Sequence, residues 1–185
     1  MKLNSQQAQI LLDLAKRSIR HGLETDSPLK IDTTAFPPEF LEPRATFVTL
    51  HKHRQLRGCI GMLKAVRPLA EDIAENAFAA AFRDYRFPPL SADEFEQLEI
   101  HLSILTPPEP IVFASEEDLL TQLRAGEDGL TIEEGRRRGT FLPSVWEHLP
   151  DPKRFLRHLK QKAGLPADYW SDNLRFYRYR TEVIG

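Results

Sequence analysis

The sequence of 185 residues has a single cysteine, no excess of one charge and no long apolar run. One cysteine excludes a disulfide within the chain, which is typical of a reducing compartment, and excludes a zinc site made only of cysteines. The 25 basic and 27 acidic residues leave a net charge of -2, so no overall positive field attracts nucleic acid. No run approaches the roughly 20 apolar residues of a membrane helix, and Met1–Gln7 lacks the apolar core of a secretory signal. We therefore expect a cytoplasmic protein without membrane contact.

Hydrophobic patterning predicts an α+β fold. The chain is 41% hydrophobic and 28% charged, as in ordinary globular domains. Helices are predicted over residues 5–21, ending at Gly22, and over 68–82 and 152–163. Strands are predicted over residues 45–50, 55–62, 98–104 and 174–183, with a further hairpin over 129–142. Because hairpins alternate with unequal helices, mixed or mainly antiparallel sheets with flanking helices are favoured over a parallel α/β fold.

The segment Leu56–Gly61 is the candidate site, because two glycines flank the single thiol in a sequence otherwise typical of a strand. Glycine inside a strand often marks a bulge or a close backbone approach. In a regular strand Arg57 and Cys59 would share one face, and a guanidinium beside a thiol favours the thiolate. Cys59 would then be a nucleophile or a soft metal ligand. The alternative, which the residues alone favour, is a small buried cysteine packed where glycine leaves room.

Two histidines near this segment raise the question of a metal. His51 and His53 would lie on one strand face with Cys59 across the turn, and imidazole and thiolate suit zinc or iron. Because the spacing fixes no fourth ligand, we favour an exposed polar turn and assign no metal. The sequence has no glycine loop of the Walker or dinucleotide type, and we assign no cofactor.

Two further sets of polar residues are candidates for ligand binding. Asp84 and Arg86 follow an alanine-rich helix and would bind a polar ligand or form an ion pair that fixes the loop. Arginines alternate with aromatic residues over Arg175–Arg180, a pattern that can grip phosphate and stack bases. The alternative, favoured by the near-neutral net charge, is a strand with an aromatic core face and a solvated basic face.

Short segments spread along nearly the whole chain form one recognisable series. They are Phe47–Leu50, Leu56–Gly61, Pro68–Leu69, Asp84–Leu90, His101–Thr106, Phe141–Trp146 and Lys162–Pro166. In this order, and with Leu56–Gly61 as the hallmark, the series resembles the AMMECR-type domain family, called AmmeMemoRadiSam system protein A in prokaryotes.

The resemblance implies an α+β fold with a larger and a smaller lobe, so that residues 1–185 would be a single domain of two closely connected lobes. It also implies a place in an AmmeMemoRadiSam system, beside a Memo-like protein and a radical-SAM protein in a modification pathway. On this hypothesis Cys59 and Arg57 would be the catalytic residues: Cys59 would react with or contact the substrate, and Arg57 would orient an anionic group or stabilise the thiolate. The binding residues would be Gly58, Ile60, Gly61, Asp84 and Arg86. Enzyme, nucleic-acid-binding module and non-catalytic adaptor all stay open, as does the oligomeric state.

Two positions depart from the family's pattern. Asp128 stands where the family often has the histidine of a Gly-x-His-Gly turn. Neither Lys160 nor Gln161 supplies the cysteine that often precedes the Lys-Ala-Gly-Leu segment. A mechanism that needs either group is therefore not expected here.

The construction of the site can also be predicted. Cys59 should lie on a strand paired with residues 46–50, with the helix over 68–82 packed nearby, because sequential elements usually neighbour one another. If Gly58 and Gly61 admit a backbone or a ligand, valine at either position should harm function even where the fold tolerates it. Strand propensity alone would predict that valine stabilises the strand.

Overall fold

A computed structural model describes residues 3–185; Met1 and Lys2, part of the stretch considered above as a signal, lie outside the described residues. The described residues form five α-helices and eight β-strands. The helices are α1 (Ser5–Thr25), α2 (Leu69–Phe82), α3 (Ala92–Phe95), α4 (Glu116–Gln122) and α5 (Pro152–Lys162). The strands are β1 (Thr46–Lys52), β2 (Gln55–Gly61), β3 (Leu98–Leu105), β4 (Glu109–Pro110), β5 (Gly129–Glu134), β6 (Arg137–Phe141), β7 (Arg175–Tyr179) and β8 (Thr181–Ile184). The predicted α+β class with antiparallel sheets is confirmed.

The larger of two compact units comprises the chain up to Thr106 together with Glu182–Gly185. Its four strands are ordered β2-β1-β3-β8. One sheet face is apolar and packs with α1 and α2; its buried side chains include Val48, Leu50 and Leu102. The opposite face, reached by the alternate residues of β1, is only half-buried.

Helix α1 is longer than predicted, because Gly22 lies inside it and not at its end. A Cβ atom at Gly22 would lie 2.5 Å from a ring carbon of Phe82 and 2.7 Å from one of Phe78. The glycine therefore lets α1 approach α2 closely. The helix ends at Asp26, whose φ of 52° gives the left-handed cap that was expected of Gly22.

A buried carboxylate fixes α2 to the start of β1. Asp72 is fully buried and accepts hydrogen bonds from the backbone N–H of Thr46 (3.0 Å) and from its hydroxyl (2.6 Å). Arg67 and Asn76 donate to the same carboxylate. Because these donors satisfy the buried charge, α2 is held against the hairpin formed by β1 and β2.

The second unit, Pro107–Thr181, has its own sheet and core. Its strands are ordered β4-β7-β5-β6, and the ring of Trp146 stacks on Phe155 of α5 at 3.7 Å. The strand predicted over residues 174–183 is in fact two strands, since β7 joins this sheet and β8 joins the sheet of the larger unit. The single-domain assignment stays a prediction. Within residues 3–185, no helix combines the length and apolar character needed to cross a membrane.

Candidate functional site

Cys59 lies on β2, the edge strand of the first sheet. It is paired with Thr49 of β1, as predicted. The connecting turn places His53 and Arg54 at φ values of 52° and 63°, the positive angles that suit a two-residue hairpin turn. His51 remains in β1, where its ring meets that of His101 at 5.2 Å. Among residues 3–185, no group of three or more His, Cys, Asp and Glu side chains is arranged to hold a metal ion.

A bulge in β2 separates Arg57 from Cys59. Leu50 is paired with Gly58 and the next residue of β1 with Leu56, so Arg57 is an additional residue in the strand. The predicted alternation, which would have put Arg57 and Cys59 on one face, is interrupted here. Glycine at position 58 was the sequence signal for this irregularity.

The Arg57 guanidinium is engaged by Glu94, at the amino end of α3. Nε donates to Oε1 at 3.0 Å and Nη2 to Oε2 at 2.8 Å, while Lys52 donates to Oε1 at 3.1 Å. The hydrogen bonds from Arg57 hold the pKa of Glu94 well below its usual range, although burial opposes the shift. Arg57 is 8% exposed, and its Nη1 is buried without a partner. The charge of Arg57 is therefore compensated within the protein, which gives it a structural partner other than the thiol.

The Cys59 side chain is half-buried, on the sheet face opposite the helices. Its Sγ lies 3.3 Å from the hydroxyl oxygen of Thr49, a distance at which either group can donate. This contact is polar, unlike the apolar packing around a fully buried structural cysteine. The thiol thus has a polar neighbour in Thr49 and belongs to a residue that is only half-buried.

Asp84 and Arg86, which we call the edge pair, hold the backbone of Cys59 at the free edge of β2. The Cys59 N–H donates to Asp84 Oδ2 at 2.9 Å, and Arg86 Nη2 donates to the Cys59 carbonyl at 3.1 Å. The two side chains also join each other, with Arg86 Nη2 2.7 Å from Asp84 Oδ2. The Arg86 guanidinium holds the pKa of the Asp84 carboxyl well below its usual range. The edge pair thus takes the place of a neighbouring strand. It forms the predicted ion pair, and the binding of a polar ligand by these residues stays a prediction.

The two glycines of the segment are packed against the protein itself. A Cβ atom at Gly58 would lie 2.1 Å from the backbone oxygen of Ala80 in α2. One at Gly61 would lie 2.3 Å from the ring of Phe47. A Cβ at Gly61 would also lie 2.4 Å from the backbone oxygen of Thr46, so packing within the protein favours glycine at both positions. The effect of valine on function stays a prediction. Ile60 packs on the apolar core, and a role of these residues in ligand binding stays a prediction.

The basic strand β7 has little free aromatic surface. Phe176 and Tyr179 are 1% and 3% exposed. Arg178 lies 3.6 Å from the carboxylate of Asp128, and Arg180 lies 3.3 Å from that of Glu127. The buried Phe176 and Tyr179 and the ion-paired Arg178 match the predicted core face. Tyr177 is half-buried and Arg175 is exposed, and binding of nucleic acid stays a prediction.

Asp128 has a structural place of its own. It is fully buried, its Oδ2 accepts from the backbone N–H of Arg124 at 3.0 Å, and its carbonyl accepts from Trp146 Nε1 at 2.7 Å. The residue that departs from the family's pattern thus fixes the turn before β5.

Sequence reasoning missed Glu94 and Thr49. Glu94 was visible only as the third helical residue of the capping box that begins at Ser91, which the structure contains. The ion pair of Glu94 with Arg57 depends on the bulge in β2. Thr49 could have been found from the strand register, because it lies directly opposite Cys59.

Comparison with known proteins agrees with the fold and the series of segments. The family model AMMECR1 matches residues 12–184. A protein of Methanothermobacter thermautotrophicus is 37% identical over 184 residues, which cover 98% of this chain and 95% of the relative. One from Methanocaldococcus jannaschii is 40% identical over 159 residues, covering 84% of this chain and 79% of the relative. The crystal structure of a Pyrococcus horikoshii protein, 34% identical, superposes with a TM-score of 0.87 over 99% of this chain and 93% of the other. The chain therefore belongs to the AMMECR1 family.

Proposed function

We propose that the protein is a cytoplasmic component of an AmmeMemoRadiSam system and acts beside a Memo-like protein and a radical-SAM protein in a modification pathway. Membership of the AMMECR1 family supports this assignment, because the family resemblance implies that association. In this proposal Cys59 contacts the substrate or a partner. Arg57 and the edge pair are positioning residues, which act through the strand that holds the thiol.

The observation that carries the role of Cys59 is the pair of hydrogen bonds on its backbone. The edge pair binds both the N–H and the carbonyl of Cys59, at 2.9 and 3.1 Å, while the side chain is free of that clamp. Because these bonds already order the backbone of Cys59, little backbone entropy is lost when a partner binds the thiol. The nearby hydroxyl of Thr49 supplies a donor or an acceptor according to the state of the sulfur.

Affinity purification and alkylation together test the proposal. The tagged full chain is co-expressed with the Memo-like and radical-SAM proteins of the same organism, and the captured proteins are identified. Because Cys59 is the one cysteine, mass spectrometry after iodoacetamide treatment reports this site alone. We expect both partners to co-purify and the alkylation of Cys59 to slow in the complex. Capture of neither partner at micromolar concentration would contradict the proposed system, and capture with unchanged alkylation would exclude Cys59 from the contact.

A second candidate is a non-catalytic adaptor. It is favoured by the internal pairing of Arg57 with Glu94 and of Arg86 with Asp84, which leaves these charges engaged by the protein. Restoring wild type and Cys59→Ala to a deletion strain separates the two candidates. If the variant captures both partners and also restores the defect, the protein is an adaptor. If it captures both partners and does not restore the defect, the thiol takes part in the reaction.

A further inference from the structure

The exposed face of α5 is basic along its whole length. The apolar side of this helix, which includes Phe155 and Leu159, is buried in the core of the second unit. The solvent side contains only basic and neutral residues, and α5 has no acidic residue. Its exposed basic residues are Lys153, Arg154, Arg157, His158 and Lys162.

Helix stability does not explain the cations in the first turn. The amino end of a helix carries partial positive charge and favours acidic side chains, and the carboxyl end favours basic ones. Lys162 at the carboxyl end fits this rule. Lys153 and Arg154 depart from it, although the N-cap residue Asp151 supplies an acidic group at this end and accepts from the backbone N–H of Arg154 at 2.7 Å.

The arginines of this face have no partners within the described chain. Among residues 3–185, the side chains of Arg154, Arg157 and His158 make no ion pair and no hydrogen bond. In the same unit, by contrast, Arg138 and Arg178 each lie within ion-pairing distance of a carboxylate. The charges of Arg154 and Arg157 are therefore free to meet an anion from solution.

These side chains also surround a cleft of about 390 Å³. Its lining residues are Arg154, Arg157, His158, Gln161 and Ala167. The first four follow the spacing of one helix face, with the two arginines about 4.5 Å apart along the axis. The volume lies within the range of roughly 300–1,000 Å³ that is usual for small-molecule sites. A concave surface lined by two arginines and by no carboxylate is complementary to a compact, multiply charged anion.

We propose that this cleft binds the phosphate groups of a small phosphorylated ligand. The planar forks of Arg154 and Arg157 each suit two phosphate oxygens. His158 adds a donor. Gln161 is placed further along the face, where a neutral donor and acceptor suits the uncharged part of a ligand. A nucleic-acid strand is disfavoured as the ligand because no aromatic ring lines the cleft. An acidic peptide is disfavoured because its singly charged carboxylates match two neighbouring arginines less well than phosphate groups do.

Calorimetric titration of the full chain tests the cleft. Inorganic diphosphate and adenosine diphosphate are the probes and adenosine is the uncharged control, in 150 mM salt to screen unspecific attraction. We expect one saturable site for diphosphate, and the double variant Arg154→Gln/Arg157→Gln should weaken it at least about tenfold. The matched control is Lys16→Gln/Arg17→Gln, which removes the same charge from an exposed part of α1 and should leave the affinity unchanged. Circular dichroism confirms that the variants are folded, and each single variant is measured beside the double one.

The outcomes separate the ligand classes. Equal affinity for the two diphosphates supports recognition of the phosphate groups alone, and tighter binding of adenosine diphosphate supports a nucleotide. Absence of saturable binding below about 10 mM overturns the proposal, as does equal weakening in both double variants. Tighter binding of a single-stranded oligonucleotide or of a glutamate peptide than of diphosphate, lost in the Arg154→Gln/Arg157→Gln variant, replaces the small ligand with a macromolecule. None of these results depends on the role of Cys59.

Discussion

Replacing Asp84 by alanine tests whether the edge pair holds the Cys59 strand. The Asp84 carboxylate accepts four hydrogen bonds: one from the Cys59 N–H at 2.9 Å, and three from Arg86, from its backbone N–H at 3.2 Å, Nε at 2.9 Å and Nη2 at 2.7 Å. Alanine removes all four. The carboxylate is nearly fully buried, whereas the Arg86 side chain is 43% exposed, so water can replace the lost partner only around the guanidinium.

The size of the effect follows from these contacts. A hydrogen bond to a charged group contributes about 1.5–3 kcal/mol, and breaking a buried ion pair costs about 3–5 kcal/mol. Because Arg86 is partly solvated, we expect the lower end, about 3 kcal/mol of unfolding free energy. For a chain of this length that is a fall in Tm of roughly 6–12 °C. Asp84→Asn keeps an acceptor for the Cys59 N–H and should lose less.

Thermal melts and residue-specific hydrogen exchange measure the two parts of the prediction. The amide of Cys59 should exchange at least about tenfold faster in Asp84→Ala, because its acceptor is gone. The control is Glu96→Ala, which removes an exposed ion pair with Arg20 at 4.0 Å and should cost at most about 0.5 kcal/mol. An Asp84→Ala protein with a Tm within about 1 °C of wild type and unchanged Cys59 exchange would refute the edge pair as the element that fixes the strand.

Three further results are expected. Gly58→Ala should lower Tm by at least about 5 °C, because the added Cβ would lie 2.1 Å from the Ala80 carbonyl oxygen. A Tm equal to that of wild type would contradict this packing. Arg57 lowers the pKa of Glu94 in the folded state, so this pairing stabilises the fold above the ordinary value of 4.5, and the stabilisation is lost as pH falls below it. Unfolding free energies of Glu94→Gln should accordingly depend less on pH below 4.5 than those of wild type. Burial raises the pKa of Tyr179 to about 12. The unfolding free energy should therefore fall by at most about 2.7 kcal/mol as pH rises from 10.0 to about 12. Tyr179→Phe should remove that fall, and an ultraviolet titration that finds no tyrosine near 12 would disprove the shift.

The sequence predicted the elements of the fold better than their ends. The series of hairpins and helices followed from local periodicity and capping residues, and the α+β class is confirmed. The sequence predicts a helix end at Gly22. No local signal distinguishes a glycine that ends a helix from one inside a helix that leaves room for the rings of Phe78 and Phe82. The strand over residues 174–183 was read as continuous, because its division between two sheets depends on partners far away in the sequence.

The candidate site divides in the same way. The pairing of Cys59 with residues 46–50 follows from a short hairpin and was predicted correctly. The partner of Arg57 was not predicted, because Glu94 lies 37 residues away in the sequence and the contact depends on the bulge in β2. Asp84 and Arg86 were singled out as a pair, but that they hold the backbone of Cys59 required the tertiary structure.

The two tryptophans and the single cysteine are divided between the two compact units. Trp146 and Trp170 lie in the unit Pro107–Thr181, and Cys59 lies in the unit that contains β1 and β2. Tryptophan fluorescence therefore follows the unfolding of the unit Pro107–Thr181. Alkylation of the half-buried thiol rises above its rate in the native protein when the other unit opens. Denaturant curves recorded with both probes, without any engineered label, would coincide if the units unfold in one cooperative transition and separate if each melts by itself.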